Sequence, residues 1–213
     1  MAPLLERFAD TARAGAWRRA LAAGAASLSW SELDVAVARA AVGLIRARTA
    51  SPAGAPLLWW SDDPIARVVW TLALLHVGVV ASPRRGAGPL VVEPGADDPS
   101  RLARLRAELR PRDAAIVLDG RVRDHAELGR LGLRVAHAVG GARELILEDD
   151  PVALTIAVAG ACVAGWGIVI GAPPPDAGRA DVLLRLGPIG LGERLTRRLA
   201  GGPRLLAALP ALE

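Results

Sequence analysis

The chain has 213 residues, of which 52% are hydrophobic and 23% charged, so it can bury a core and is not disordered. Its net charge is +4, and all 26 basic residues are arginine, because the sequence contains no lysine. Asparagine, glutamine and tyrosine are missing as well, a bias that indicates GC-rich coding. The composition predicts a globular protein of one large or two small domains.

The missing lysine and the few histidines exclude several kinds of chemistry. The chain has neither a Schiff-base lysine nor the ammonium group of a phosphate-binding loop. The single cysteine, Cys162, excludes a disulfide scaffold, and three histidines without a paired-cysteine motif give no metal site. The arginines are scattered among 22 acidic residues without aromatic platforms, which argues against a nucleic-acid partner. We therefore expect no catalytic residue, no metal and no cofactor.

The first half of the chain alternates between helix and strand signals. "MAPLLERFADTARAG" predicts an amphipathic helix and not a signal peptide, so a cytoplasmic protein is expected. "SLSWSELDVAVARAAVGLIRA" predicts a helix capped by Ser29 or Ser31. "LLWW" predicts a strand, and a helix from Pro64 to Leu75 leads to a second strand, "VVASP". "PLVVEP" predicts a strand, "DDPSRLARLRAELRP" a helix and "AAIVLD" another strand.

The second half begins the same series again. "RDHAELGRLGLRVAHAV", "RELILE", "VALTIAVAGACVAGWG" and "IVIGAP" predict a helix, a strand, a helix and a strand in turn, and the remainder predicts one strand and one or two helices. Such alternation is typical of an α/β fold whose mostly parallel sheet is covered by helices.

An internal repeat divides the chain. The Asp-Asp-Pro at 62–64 aligns with the Asp-Asp-Pro at 149–151, and "SEL" at 31–33 matches "AEL" at 126–128. We interpret both pairs of aspartates as helix caps and not as acid–base groups. The repeat predicts two related βα units, residues 1–120 and 121–213, which could form one compact domain.

These segments resemble the opening of the adenylate-forming superfamily, which includes acyl-CoA synthetases and the adenylation domains of peptide synthetases. That opening typically reads Leu-Thr-Tyr-x-Glu-Leu and later Leu-Lys-x-Gly-Ala-x-x-x-Pro. Here residues 28–33 read Leu-Ser-Trp-Ser-Glu-Leu, and residues 75–83 read Leu-His-Val-Gly-Val-Val-Ala-Ser-Pro. The chain is similar to a truncated, degenerate N-terminal region of that superfamily, and to a group of short AMP-binding-related proteins.

The resemblance implies a phosphate loop that this chain lacks. In the superfamily a strand enters a Ser/Thr/Gly-rich loop ending in Pro-Lys-Gly, followed by a valine and a histidine that open a helix. Here Asp119-Gly120-Arg121 stands in place of that loop, before Val122 and His125. His125 is therefore interpreted as a remnant family position. The implied function is a non-catalytic, AMP-binding-enzyme-like protein with a binding or assembly role, and a homo-oligomer or a protein partner is left open.

Two alternatives and one further candidate site follow from the same residues. The chain could be part of an acid-activating ligase that another chain completes. It could also associate with a membrane through the uncharged residues 151–175, although glycines interrupt that segment and a span is not expected. A candidate anion site is formed by three glycines and an arginine before a predicted helix, with a plain loop as the alternative: Gly187, Gly190, Gly192 and Arg194.

Overall fold

The computed structural model describes residues 3–47, 55–96, 98–118, 120–139, 144–147, 150–171, 182–185 and 204–207. Its helices are α1 (Pro3–Ala14), α2 (Trp30–Arg46), α3 (Pro64–His76), α4 (Pro99–Glu108), α5 (His125–Val139) and α6 (Pro151–Ala164). Its strands are β1 (Arg19–Ala23), β2 (Ala26–Ser29), β3 (Leu57–Trp59), β4 (Ala81–Pro83), β5 (Ala114–Leu118), β6 (Arg121–Asp124), β7 (Glu144–Leu147), β8 (Gly167–Ile170), β9 (Val182–Arg185) and β10 (Arg204–Ala207).

These strands form two sheets. One has the order β10-β9-β7-β8-β1-β2 and the other the order β3-β4-β5-β6. Neighbouring strands are parallel except in two antiparallel hairpins, β1–β2 and β5–β6. The predicted α/β class with mostly parallel strands is confirmed.

Each sheet takes strands from both copies of the repeat. β1 and β2 precede α2 and α3, the first-copy helices that match α5 and α6, yet β1 pairs with β8, the strand that follows α6 of the second copy. In the same way, the hairpin β5–β6 leads into α5 of the second copy, and its strand β5 pairs with β4 of the first. The two hairpins are thus exchanged between the copies. The boundary at residue 120 stays a prediction, and each sheet contains strands from both sides of it.

The two hairpins also have the same irregularity. The register shifts between Arg19 and Leu21 in β1–β2, and between Ala114 and Ile116 in β5–β6. Each hairpin is closed by a two-residue turn and leads directly into a helix, α2 or α5. The helix starts of the two copies therefore occupy corresponding places beside their hairpins.

Two glycines allow α5 and α6 to pack closely. A Cβ on Gly132 would lie 2.5 Å from the carbonyl oxygen of Ala159, so the backbone approach leaves no room for a side chain. On α6, a Cβ at Gly160 would lie 2.8 Å from side-chain atoms of Trp166 and Val135. The buried faces of the helices and the strands join in one apolar core.

Four local predictions differ from the structure. β6 (Arg121–Asp124) was not expected as a strand, since the helix was predicted to begin at Arg123, and β10 is a second strand in the C-terminal segment, for which one strand was predicted. The hairpin β1–β2 was not expected from the sequence, whose residues there are mostly alanine and serine. "PLVVEP" is wrong as a strand, because this segment lies without strand pairing against α2, where the amide of Gly95 donates to the Arg39 carbonyl oxygen at 2.8 Å. Prolines at both ends of the segment remove two of the amide donors that a strand ladder would use.

The uncharged segment 151–175 is divided in the structure. α6 has 14 residues, and Gly165 ends it in the left-handed conformation (φ +74°) before β8 begins. Within the described ranges, no helix combines the length and apolar character that a membrane crossing needs.

Candidate functional site

The position of the expected phosphate loop is a tight hairpin turn. Leu118 and Arg121 pair across β5 and β6, so only two residues connect the strands. Gly120 has φ +73°, the left-handed conformation that such two-residue turns use and that glycine adopts without strain. A turn this short cannot wrap several amide groups around a phosphate chain.

The amide groups at the start of α5, which follows this turn, already have acceptors. Asp124 and Glu127 bond reciprocally: the Glu127 amide donates to Asp124 Oδ1 at 2.6 Å, and the Asp124 amide donates to Glu127 Oε2 at 3.0 Å. The amides of the two residues between them donate to the carbonyl oxygens of residues 113 and 111, at 3.2 and 2.8 Å. The helix start is thus satisfied inside the protein and flanked by two carboxylates.

The start of α2 has the same arrangement. The Glu32 amide donates to Ser29 Oγ at 3.3 Å, and the Ser29 amide donates to Glu32 Oε2 at 2.7 Å. The two amides between them donate to the carbonyl oxygens of residues 18 and 16. The Glu32 carboxylate also accepts from Ser29 Oγ at 2.8 Å, and its two bonds from Ser29, the one from the backbone amide first, hold the pKa of the Glu32 carboxyl below its usual range. Because both copies share this capping, the arrangement at α5 is a feature of the fold and leaves no donor for an anion.

A nucleoside triphosphate does not fit these residues. Binding its phosphates requires free backbone amides together with a cation that can reach them. The turn is too short, the amides at the helix start are bonded, and the chain has no lysine.

His125, the predicted remnant of a family position, is the first residue of α5 and is completely buried. Neither ring nitrogen has a hydrogen-bond partner among the described residues. Burial lowers the pKa of His125, although the carboxylates of Asp113 and Asp124 act in the opposite direction. A neutral ring without access to solvent cannot exchange protons with a substrate, and the family role of this position stays a prediction.

A second buried histidine ends α3. Nδ1 of His76 donates a hydrogen bond to the carbonyl oxygen of Leu72 at 2.7 Å. The imidazole ring also contacts the Phe8 ring edge-on, with the ring centroids 5.8 Å apart. Burial lowers the pKa of His76 to about 3, and the positive charge of Arg106 and the nearby His125 add to this shift. The ring is therefore neutral at physiological pH.

The Asp-Asp-Pro motifs act as helix caps. Asp63 Oδ1 accepts from the Ile65 amide at 2.9 Å, and Asp150 Oδ1 accepts from the Ala153 amide at 2.7 Å. Asp62 accepts from the indole N–H of Trp60 at 3.0 Å. These carboxylates are thus engaged locally, as the sequence predicts for caps.

The remaining candidates offer no reactive group among the described residues. Cys162 is buried in α6, and burial raises the pKa of its thiol to about 12, so the nucleophilic thiolate is not available. No cluster of three metal-binding side chains occurs in the part of the chain that the structure describes. The predicted anion site (Gly187, Gly190, Gly192 and Arg194) lies outside the described residues.

A groove of about 540 Å³ lies beside the β5–β6 hairpin. We call it the α5 groove. Its floor consists of buried leucines at the end of β5 and on α5, and its rim carries arginines from β6 and α5. The floor leucines are Leu118, Leu128 and Leu131, and the rim arginines are Arg123, Arg130 and Arg134.

Sequence reasoning did not find this groove. The spacing of Arg130 and Arg134 places them one turn apart on the same helix face, a signal that was available. That Leu118 lies under the same face follows only from the hairpin, which brings the end of β5 to the helix.

Comparisons with known proteins agree with the fold. No protein-family profile and no curated protein matches the sequence. A solved structure of VinN in complex with L-aspartate is 13% identical and matches over 95% of this chain and 77% of that chain, with a TM-score of 0.69. The N-terminal subdomain of Klebsiella oxytoca NpsA is 17% identical over 85% of this chain and 60% of that chain, with a TM-score of 0.61.

A third match is the inhibitor-bound N-terminal domain of FACL13 from Mycobacterium tuberculosis, 12% identical over 87% of this chain and 63% of that chain, with a TM-score of 0.63. Likeness at these identities establishes the fold. The chain has the α/β fold found in the N-terminal part of adenylation proteins, and the fold that the sequence resemblance implies is confirmed.

Proposed function

We propose that this chain is a non-catalytic protein with the fold of an adenylate-forming enzyme, and that it acts by binding or assembly. The observation that carries the proposal is the two-residue turn between β5 and β6 at the place of the expected phosphate loop. Adenylation needs the triphosphate of ATP to be bound and its developing charge to be neutralised. A two-residue turn can neither surround the triphosphate nor neutralise that charge.

The capping of α5 supports the proposal independently. An enzyme that had merely shortened its loop could still present the helix start to a phosphate. Here the carboxylates of Asp124 and Glu127 accept hydrogen bonds from each other's amides, and they place two negative charges at the start of the helix. Coulomb repulsion would then oppose a phosphate at the very end of the helix that normally attracts one.

Calorimetry with the purified chain tests this directly. ATP with MgCl2 should produce no binding heat, corresponding to a Kd weaker than about 1 mM. A panel of carboxylic acids should produce no ATP–pyrophosphate exchange above the buffer blank, while a catalytically active adenylation enzyme assayed in parallel confirms the reagents. Tight, magnesium-dependent ATP binding would refute the proposal. Exchange that appears only after a second protein is added would establish the ligase completed by another chain.

A further inference from the structure

The β3–β6 sheet has an apolar row on the face opposite the core. We call it the outer row, and it takes one residue from each strand, in register across the sheet: Leu58, Ser82, Val117 and Val122. Neighbouring residues along the three parallel strands, such as Trp59, Ala81 and Ile116, point to the opposite face and are buried in the core. Leu58 and Val122 are each 54% exposed, so both ends of the outer row are open to solvent.

The other sheet contains a matching arrangement of four strands. Its part β7-β8-β1-β2 corresponds to β3-β4-β5-β6, and the offset that matches 31–33 to 126–128 also matches Ser27 of β2 to Val122 of β6. Ser27 is exposed and polar, so the fold does not need an apolar side chain at this place. Val122 thus exposes a valine where the same strand position accepts a serine.

In the other sheet, most of the corresponding row is covered. Val169 and Ala22 pair with each other in that row and are completely buried, although they lie outside the main core cluster. Beyond Ile146 the row continues to Leu183 of β9. Among the described strands none follows β3, so Leu58 ends its row in solvent. Because parallel sheets in α/β folds have both faces covered, the outer row is a surface that this architecture normally buries.

The size of the outer row indicates one helix and not a second copy of the chain. Four strands about 4.8 Å apart span about 14 Å, and strands of three to five residues are about 10–17 Å long. A patch of about 200 Å² is well below the roughly 800 Å² per partner that a stable dimer buries. A helix is about 10 Å wide and fits such a patch.

We propose that the outer row is a docking surface for an amphipathic helix of a partner protein, whose apolar stripe contacts Leu58, Val117 and Val122. Helices are the elements that cover parallel sheets, and an amphipathic helix laid on an apolar surface is a common mode of protein recognition. The four residues of the row carry no charge, so the contact is apolar. The inference rests on the binding role proposed above and names the partner for it.

A displayed library of helical peptides of about 14 residues, randomised along one face, tests the inference against the full chain. The selected peptides should have apolar residues at three- and four-residue spacing. Their affinity, measured by fluorescence anisotropy of labelled copies, should change little as salt is raised, because the outer row has no charge to screen.

Variants of the chain locate the binding. The double variant Leu58→Ser/Val122→Ser should lower the affinity at least about tenfold, because it removes the apolar side chains at both ends of the row. Val122→Ser alone introduces the residue of the matching position in β2, so it should weaken binding while the midpoint of urea denaturation stays near that of the wild type. The matched control Val91→Ser removes a valine that is 90% exposed and lies outside the sheet, and it should leave the affinity unchanged.

Two binding results would overturn the inference: a selection that enriches no peptide above an unrelated protein treated in parallel, or equal affinities for the double variant and Val91→Ser. A dimer in sedimentation velocity that the double variant abolishes would also overturn it, because a second copy would then cover the row. Peptide binding together with ATP turnover would sustain the docking surface while refuting the proposed lack of catalysis. The two failures are therefore distinguishable.

Discussion

Acid should destabilise this protein through His76 in a way that can be calculated. The unfolded state holds a histidine with its ordinary pKa of 6.5, whereas burial lowers the pKa of His76 in the folded state to about 3. Below pH 6.5 the imidazole of residue 76 binds a proton in the unfolded state but not in the folded state, so the free energy of unfolding decreases as the pH falls. The loss continues until the pH approaches the folded pKa.

The magnitude follows from the two pKa values. At pH 4.5, the unfolded histidine is two pH units below its pKa while His76 in the fold is still neutral. Each unit corresponds to 1.36 kcal/mol, so this single group should remove about 2.7 kcal/mol between neutral pH and pH 4.5. That is a large part of the stability of a typical domain, about 5–15 kcal/mol.

The assay compares urea denaturation at pH 7.5 and pH 4.5 for the wild type and His76→Asn. The asparagine amide can still donate toward the Leu72 carbonyl oxygen but does not titrate, so the variant should lose about 2.7 kcal/mol less than the wild type over this pH range. Subtracting the two losses removes the contribution of carboxylates, which both proteins share. His137→Asn, at an exposed position on α5, is the matched control and should behave like the wild type. If His76→Asn and the wild type lost equal stability, the reasoning from buried neutral histidine would be wrong.

Three further predictions concern the helices. Gly132→Ala should lower the free energy of unfolding by about 1–3 kcal/mol, because its Cβ would meet the carbonyl oxygen of Ala159, whereas Gly88→Ala, which meets nothing, should stay within about 0.5 kcal/mol. Equal effects in thermal melts would disprove the close approach of α5 and α6. Ser29→Ala removes the cap of α2 and should cost about 1 kcal/mol in urea denaturation, a loss that an unused cap would not show. The Cys162 thiol should react with a disulfide reagent only as fast as the protein unfolds, and rapid labelling of the native chain would contradict its burial.

Much of the candidate site could be predicted from local sequence. The aspartates before Pro64 and Pro151 are helix caps because their carboxylates accept from amides two or three residues further along the chain. Contacts over so short a separation can be predicted from the spacing of the residues in the sequence. The shortness of the segment in the place of the phosphate loop is equally local, whereas the tight turn itself depends on β6, a strand that the sequence did not predict. The α5 groove could not be predicted in this way, because its floor joins Leu118 to residues of the following helix across the hairpin.

By itself, the sequence determined most of the alternation of helices and strands, the caps and the short segment in the place of the phosphate loop, because each depends on side chains within a few residues of one another. Only the tertiary structure decided which strands pair. β1 has little strand signal of its own and forms because β8, nearly 150 residues away, offers it a row of backbone donors and acceptors. "PLVVEP" has the apolar residues of a strand but packs on α2, because hydrophobic burial is non-directional and Gly43 leaves space for the segment there.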